Sequence, residues 1–174
     1  QTEVGKRWYD LMQTNSDAAS QGFFWYSWSK DQPQVVRDKP FRTSIWQEVT
    51  AKADQQNKPG QFTAFIGYEW TPAGTNHHRV VIFEDDADKA NQILPFSNYD
   101  SWDPEALWGY LSDYETTTGG QVLAIPHNSN ITKGLMFSLQ DYQGRPMSTA
   151  YATLRSRWEP LVEATQIKGD SETH

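Results

Sequence analysis

Two short apolar runs, each halted by one side chain that can bind a metal, constrain this chain more than any other feature. The first, Phe62-Thr63-Ala64-Phe65-Ile66-Gly67-Tyr68, ends in Glu69; the second, Val122-Leu123-Ala124-Ile125-Pro126, ends in His127. Short, nearly continuous apolar runs are the pattern of strands covered on both faces, as in parallel sheets. In α/β proteins the chemistry gathers at the carboxyl ends of such strands. A Glu and a His arriving there point to a metal site.

The rest of the chain alternates in the same way. The spacing predicts a helix over 4–12, then the aromatic segment Phe23-Phe24-Trp25-Tyr26-Ser27-Trp28 and a polar loop over 29–40. A helix over 44–56 presents Ile45, Trp46, Val49 and Ala53 at helical spacing, and Asn57-Lys58-Pro59-Gly60 stops it. Strands over 62–68 and 79–83 flank a turn. Asp103 as N-cap, Pro104 in the first position and Gly119-Gly120 at the end bracket a helix over 104–118. A strand over 121–125, a long loop over 128–147, a helix over 149–158 and a strand over 161–167 follow. Helix alternating with strand predicts βα units and a mainly parallel sheet. A closed eight-stranded βα barrel needs about 250 residues. With 174 residues and about four strands, the expectation is a single α/β domain, either small or an incomplete barrel.

Composition narrows the function classes. The net charge is −7, and no Lys/Arg cluster is long enough to follow a phosphate backbone, which argues against nucleic acid. Cysteine is absent, so disulfides and thiolate metal sites are excluded. No stretch approaches the ~20 apolar residues of a membrane-spanning helix. Nucleophile-elbow, P-loop and dinucleotide-binding patterns are missing as well.

Glu69 and His78 stand nine residues apart. If the flanking strands pair, the turn between them brings both side chains to one rim, with His127 as a third ligand from another strand end. One carboxylate with two imidazoles suits Zn, Mn or Fe. Glu69 could equally sit in a buried ion pair. Arg79 is read either as a bidentate clamp for an anionic oxygen or as an outward-facing strand residue paired with an acid. Asn128 is either a turn former or a group that orients ligand. Glu163, Lys168 and Asp170 fall in a charged stretch that reads as a solvated loop. The 23–28 aromatic segment supports an alternative, a non-catalytic carbohydrate-binding module.

The runs 62–71, 78–83 and 103–108, Ile125-Pro126-His127-Asn128-Ser129-Asn130, Gly134-Leu135-Met136-Phe137 and the tail over 159–174 resemble a large bacterial family of domains of unknown function. That family is similar to the PHP (polymerase and histidinol phosphatase) superfamily of metal-dependent phosphoesterases. The resemblance covers 41–174 and is weaker over 1–40. It implies a distorted, mainly parallel βα barrel and metal-assisted hydrolysis of a small anionic substrate such as a phosphate ester. By this resemblance Glu69, His78 and His127 hold a divalent metal (Zn, Mn or Fe). Glu69 and His127 are then the candidate catalytic residues, and Arg79, Asn128 and Lys168 are the candidates for positioning an anionic substrate. His77 stands where the family has an apolar residue, so it receives no ligand role. The superfamily's earlier His-x-His, its Asp-His pair and its later Asp-x-His have no counterpart, and Asp170, Glu172 and His174 do not replace them. The chain therefore reads as the central part of a longer domain whose missing segments complete the site. The relatives imply a periplasmic or secreted location.

Overall fold

The computed structural model describes residues 3–15, 17–18, 37–72, 76–167 and 169–171. The aromatic segment over 23–28 and Lys168 lie outside the described residues. The chain divides into two compact units, Gln1–Ser44 and Ile45–His174. In the first, α1 (Glu3–Thr14) carries an exposed Glu3–Lys6 ion pair one turn apart. Asp38 caps the start of α2 (Lys39–Gln56), its carboxylate accepting from the Phe41 backbone at 3.0 Å.

The second unit is built on a three-stranded sheet, β1 (Ile66–Trp70), β2 (Arg79–Phe83) and β3 (Val122–Pro126), in the order β1-β2-β3. Both pairings are antiparallel: Glu69 lies opposite Val80, and Arg79 opposite Pro126. This overturns the expected mainly parallel sheet of an incomplete βα barrel. For β1 and β2 the reason lies in the connection over 71–78, which is too short for the crossover of a dozen or more residues that parallel neighbours require, whereas the long, helix-containing connection over 84–121 between β2 and β3 is compatible with either direction. The last predicted strand is also largely lost. Only Thr165–Gln166 (β4) pairs, with Gly169–Asp170 (β5), while Leu161 and Val162 are exposed.

β1 begins four residues later than its apolar run. Lys58 and Phe62 exchange backbone hydrogen bonds around a tight turn in which Gly60 adopts φ 79°, so Phe62 belongs to the turn. Phe62 and Phe65 are both exposed, and Glu69 lies within the strand rather than beyond it.

Side chains alternate across the sheet. Ile66, Trp70, Val81, Phe83, Val122 and Ala124 face the core, where they meet the helices. α3 (Ala87–Ala90) is a single capped turn. α4 (Pro104–Thr118) has the predicted Asp103 cap, with Oδ1 accepting from the Glu105 backbone at 2.8 Å, and ends at Gly119 with φ 64°. It buries Leu107, Trp108, Leu111 and Tyr114. On α2 the buried stripe runs through Trp46 and Thr50, and Ile45 and Val49 face solvent. Trp46 donates to the Ala90 carbonyl and Thr50 to Asn91, both at 2.9 Å. α5 (Thr149–Trp158) closes the core through Trp158. Among the described residues no helix is long and apolar enough to cross a membrane.

Candidate functional site

The antiparallel register brings three separated side chains to one end of the sheet. The Arg79–Pro126 pairing, continued by one residue, sets His78 beside His127, and the His127 backbone donates to the His78 carbonyl at 3.0 Å. Glu69, opposite Val80, is the diagonal neighbour of His78 on the same face. The Glu69 Oε1 lies 2.7 Å from His78 Nδ1 and 3.7 Å from His127 Nε2, and the two imidazole centres are 6.4 Å apart. The cluster is partly open to solvent, Glu69 most of all.

His127 is held from behind. Its Nδ1 lies 2.7 Å from Glu163 Oε1, while Glu163 Oε2 accepts from the Asn128 backbone at 3.0 Å and from Gln166 Nε2 at 2.7 Å. An ionised carboxylate only accepts, so His127 carries a proton on Nδ1, and Nε2 is the ring nitrogen that faces Glu69. Carboxylates in this position behind a metal-binding imidazole fix its tautomer and raise its basicity. Glu163 is therefore part of the site and not a member of a solvated loop. Its context, Leu161-Val162-Glu163-Ala164, offers a weak signal: a lone acid in an apolar run.

The other expected residues separate. Arg79 alternates with His78 and projects to the opposite face. There it is buried, its Nε donating to Glu159 Oε1 at 2.9 Å and its NH1 to the His77 carbonyl at 2.5 Å. Burial pulls its pKa below the usual value, and the Glu159 charge opposes that shift. Arg79 pairs with an acid, as the second sequence reading expects, but it faces the core and not outward, because strand alternation sets it on the face of Val81 and Phe83. Asn128 is 2% exposed with φ 67°, and its side-chain oxygen accepts from Gln166 Nε2 at 2.8 Å. It makes the turn after β3, a left-handed position that Asn tolerates. Lys168 falls outside the described residues.

On donor chemistry, one carboxylate and two imidazoles fit a Zn, Mn or Fe ion. Donors ~2.1 Å from a tetrahedral ion stand about 3.4 Å apart. The His127–Glu69 separation of 3.7 Å is close to that spacing. The 2.7 Å between His78 and Glu69 is a hydrogen bond, which must open for all three to act together. Accordingly, among the described residues no group of three or more His, Asp or Glu is arranged to hold a metal ion.

An antiparallel three-stranded sheet packed against helices on one face, with a Glu-His-His cluster on the other, gives the second unit an α+β character. The chain belongs to the family described as Protein of unknown function (DUF3604), whose model matches residues 1–174. No curated protein and no solved structure matches it.

Proposed function

We propose that the Glu69–His78–His127 cluster is the metal-binding centre of a hydrolase acting on phosphate esters. The observation that carries this reading is the chain Glu163–His127–Glu69, in which one carboxylate holds His127 Nδ1 and the other ring nitrogen, Nε2, is turned toward a second carboxylate 3.7 Å away. The resemblance of the Gly67-Tyr68-Glu69-Trp70 and Pro126-His127-Asn128 segments to metal-dependent phosphoesterases supports the substrate class.

In this reading Glu69, His78 and His127 hold a single Zn-, Mn- or Fe-like ion. When bound, the ion supplies a water of lowered pKa and polarises the phosphoryl oxygen. Glu163 keeps the His127 proton on Nδ1. Asn128 and Gln166, through their bonds with Glu163 and each other, hold that carboxylate in place.

The test is hydrolysis of p-nitrophenyl phosphate by metal-stripped protein reloaded with Zn, Mn or Fe, alongside elemental analysis. Turnover that follows metal content and disappears with the metal in His127→Ala is the expected result. Full activity in metal-stripped protein, or near-stoichiometric metal retained by His127→Ala, overturns the proposal.

A further inference from the structure

On the opposite face of the sheet, two arginines share one acid. Arg79 Nε donates to Glu159 Oε1 at 2.9 Å and Arg155 Nε to Glu159 Oε2 at 3.1 Å, and Trp108 Nε1 also donates to Oε1 at 2.9 Å. The side chains of Arg79, Arg155 and Glu159 are 2%, 14% and 1% exposed. Two cations and one anion leave one positive charge unbalanced in a water-poor setting, an arrangement that folding disfavours unless a counter-charge arrives.

Beside this group lies a cavity of about 250 Å³ bordered by both arginines, His77, Tyr151, Leu135 and Met136. Asp141 also borders it, but Arg145 neutralises that carboxylate at 2.6 Å. Both His77 ring nitrogens are buried and have no hydrogen-bond partner among the described residues. Buried polar atoms of this kind call for a partner. The walls join cationic and polar groups to apolar and aromatic ones. At 250 Å³ the space is just below the ~300 Å³ lower end of small-molecule sites.

We propose that this cavity binds a small organic monoanion, a carboxylate with an apolar or aromatic body. Its charge balances Arg79 and Arg155, one of its oxygens meets the His77 ring, and its body lies against Tyr151, Leu135 and Met136. A single negative charge fits the single excess positive charge, whereas a phosphate dianion would reverse the imbalance. The site is separate from the Glu69 cluster, from which the strand alternation divides it, and it requires no metal.

Benzoate serves as the probe, with benzamide as its neutral isostere and inorganic phosphate as the dianion. The readout is the Nε–H NMR signals of Arg79 and Arg155 in metal-stripped, full-length chain. Benzoate is expected to move both signals saturably and benzamide to leave them in place. Arg155→Gln, which leaves a balanced Arg79–Glu159 pair, is expected to weaken benzoate binding roughly tenfold or more, the worth of a charge-assisted contact. Non-saturating shifts, equal binding of benzamide, tighter binding of phosphate, or unchanged affinity in Arg155→Gln would each overturn the proposal. The wild-type titration decides by itself should the variant fail to fold.

Discussion

Replacing Glu159 by Gln tests whether the buried triad is electrostatically committed. The wild-type carboxylate receives four contacts: Arg79 and Trp108 at Oε1, and Arg155 through Nε at 3.1 Å and NH2 at 3.0 Å at Oε2. A glutamine keeps the shape but supplies only one acceptor atom. Its amide group would point N–H bonds at the donors of one arginine, losing the contacts on that side. Arg79, 2% exposed, would lose its counter-charge. Breaking a buried ion pair from one side costs about 3–5 kcal/mol. A Coulomb estimate agrees: opposite unit charges about 4 Å apart attract by about 4 kcal/mol at an effective dielectric constant of ~20. Urea unfolding followed by far-UV circular dichroism should show a midpoint lower by about 2 M, taking a slope of about 2 kcal/mol/M. The double variant Glu159→Leu, Arg79→Leu should recover part of that loss, since it removes the more deeply buried of the two arginines that lose their counter-charge and leaves only the more exposed Arg155. A Glu159→Gln midpoint within about 0.5 M of wild type, equivalent to about 1 kcal/mol, would refute the reasoning.

Two further predictions concern the carboxylates that support the sheet. Glu163→Gln removes the ionised acceptor of the His127 Nδ1 proton, and should weaken metal binding ten- to a hundredfold by titration calorimetry, the usual effect of losing such a partner; affinity within about twofold of wild type would detach Glu163 from the site. The Asp85 carboxyl is held below its ordinary 3.8: burial raises it, but bonds from Lys89 Nζ, the Gln121 backbone and Tyr114 Oη together outweigh burial. A depressed folded pKa gives stability that is fully present above pH 3.8 and lost as pH falls through the folded value. Urea midpoints should therefore fall more steeply below pH 4 in wild type than in Asp85→Asn, and parallel acid limbs would contradict the assignment.

Much of the local structure could be read from the sequence because its causes are local. Asp103-Pro104 and Gly119 bracket α4, and its buried residues recur at helical spacing. The meeting of Glu69 and His78 was also foreseeable, since the turn between them is short enough to pair the flanking strands. The sheet's direction is harder to read, because alternating helices and strands are compatible with either orientation: the short turn over 71–78 forces β1 and β2 antiparallel, but the long connection over 84–121 leaves β2 and β3 undetermined by length. The site's supporting groups were hidden for a different reason. Glu163 reaches His127 across 36 positions and Glu159 reaches Arg79 across 80, and neither spacing leaves a periodic trace. Arg79 looked like a neighbour of His78 because adjacency in sequence suggests adjacency in space. In a strand it means the opposite, one residue on each face.

That alternation also explains how a partly exposed cluster can be positioned firmly. Glu69, the most exposed of the three, is not fixed by burial, yet the alignment of Glu69, His78 and His127 depends on two strand registers. Slipping β1 by one residue against β2 would carry Glu69 to the core face and bring Trp70, fully buried here, out to solvent. The large side chains of the core face, Trp70, Val81 and Phe83, thus penalise any odd-numbered slip, each of which would turn Glu69 away from the face of His78 and His127. Gly67 reinforces this constraint. A Cβ at that position would stand 2.6 Å from the Val81 carbonyl oxygen, so the strands approach more closely there than any other residue allows. The geometry of the candidate metal centre therefore derives from packing on the far side of the sheet. Core substitutions that loosen β1 against β2 should impair it without touching any of its three ligands.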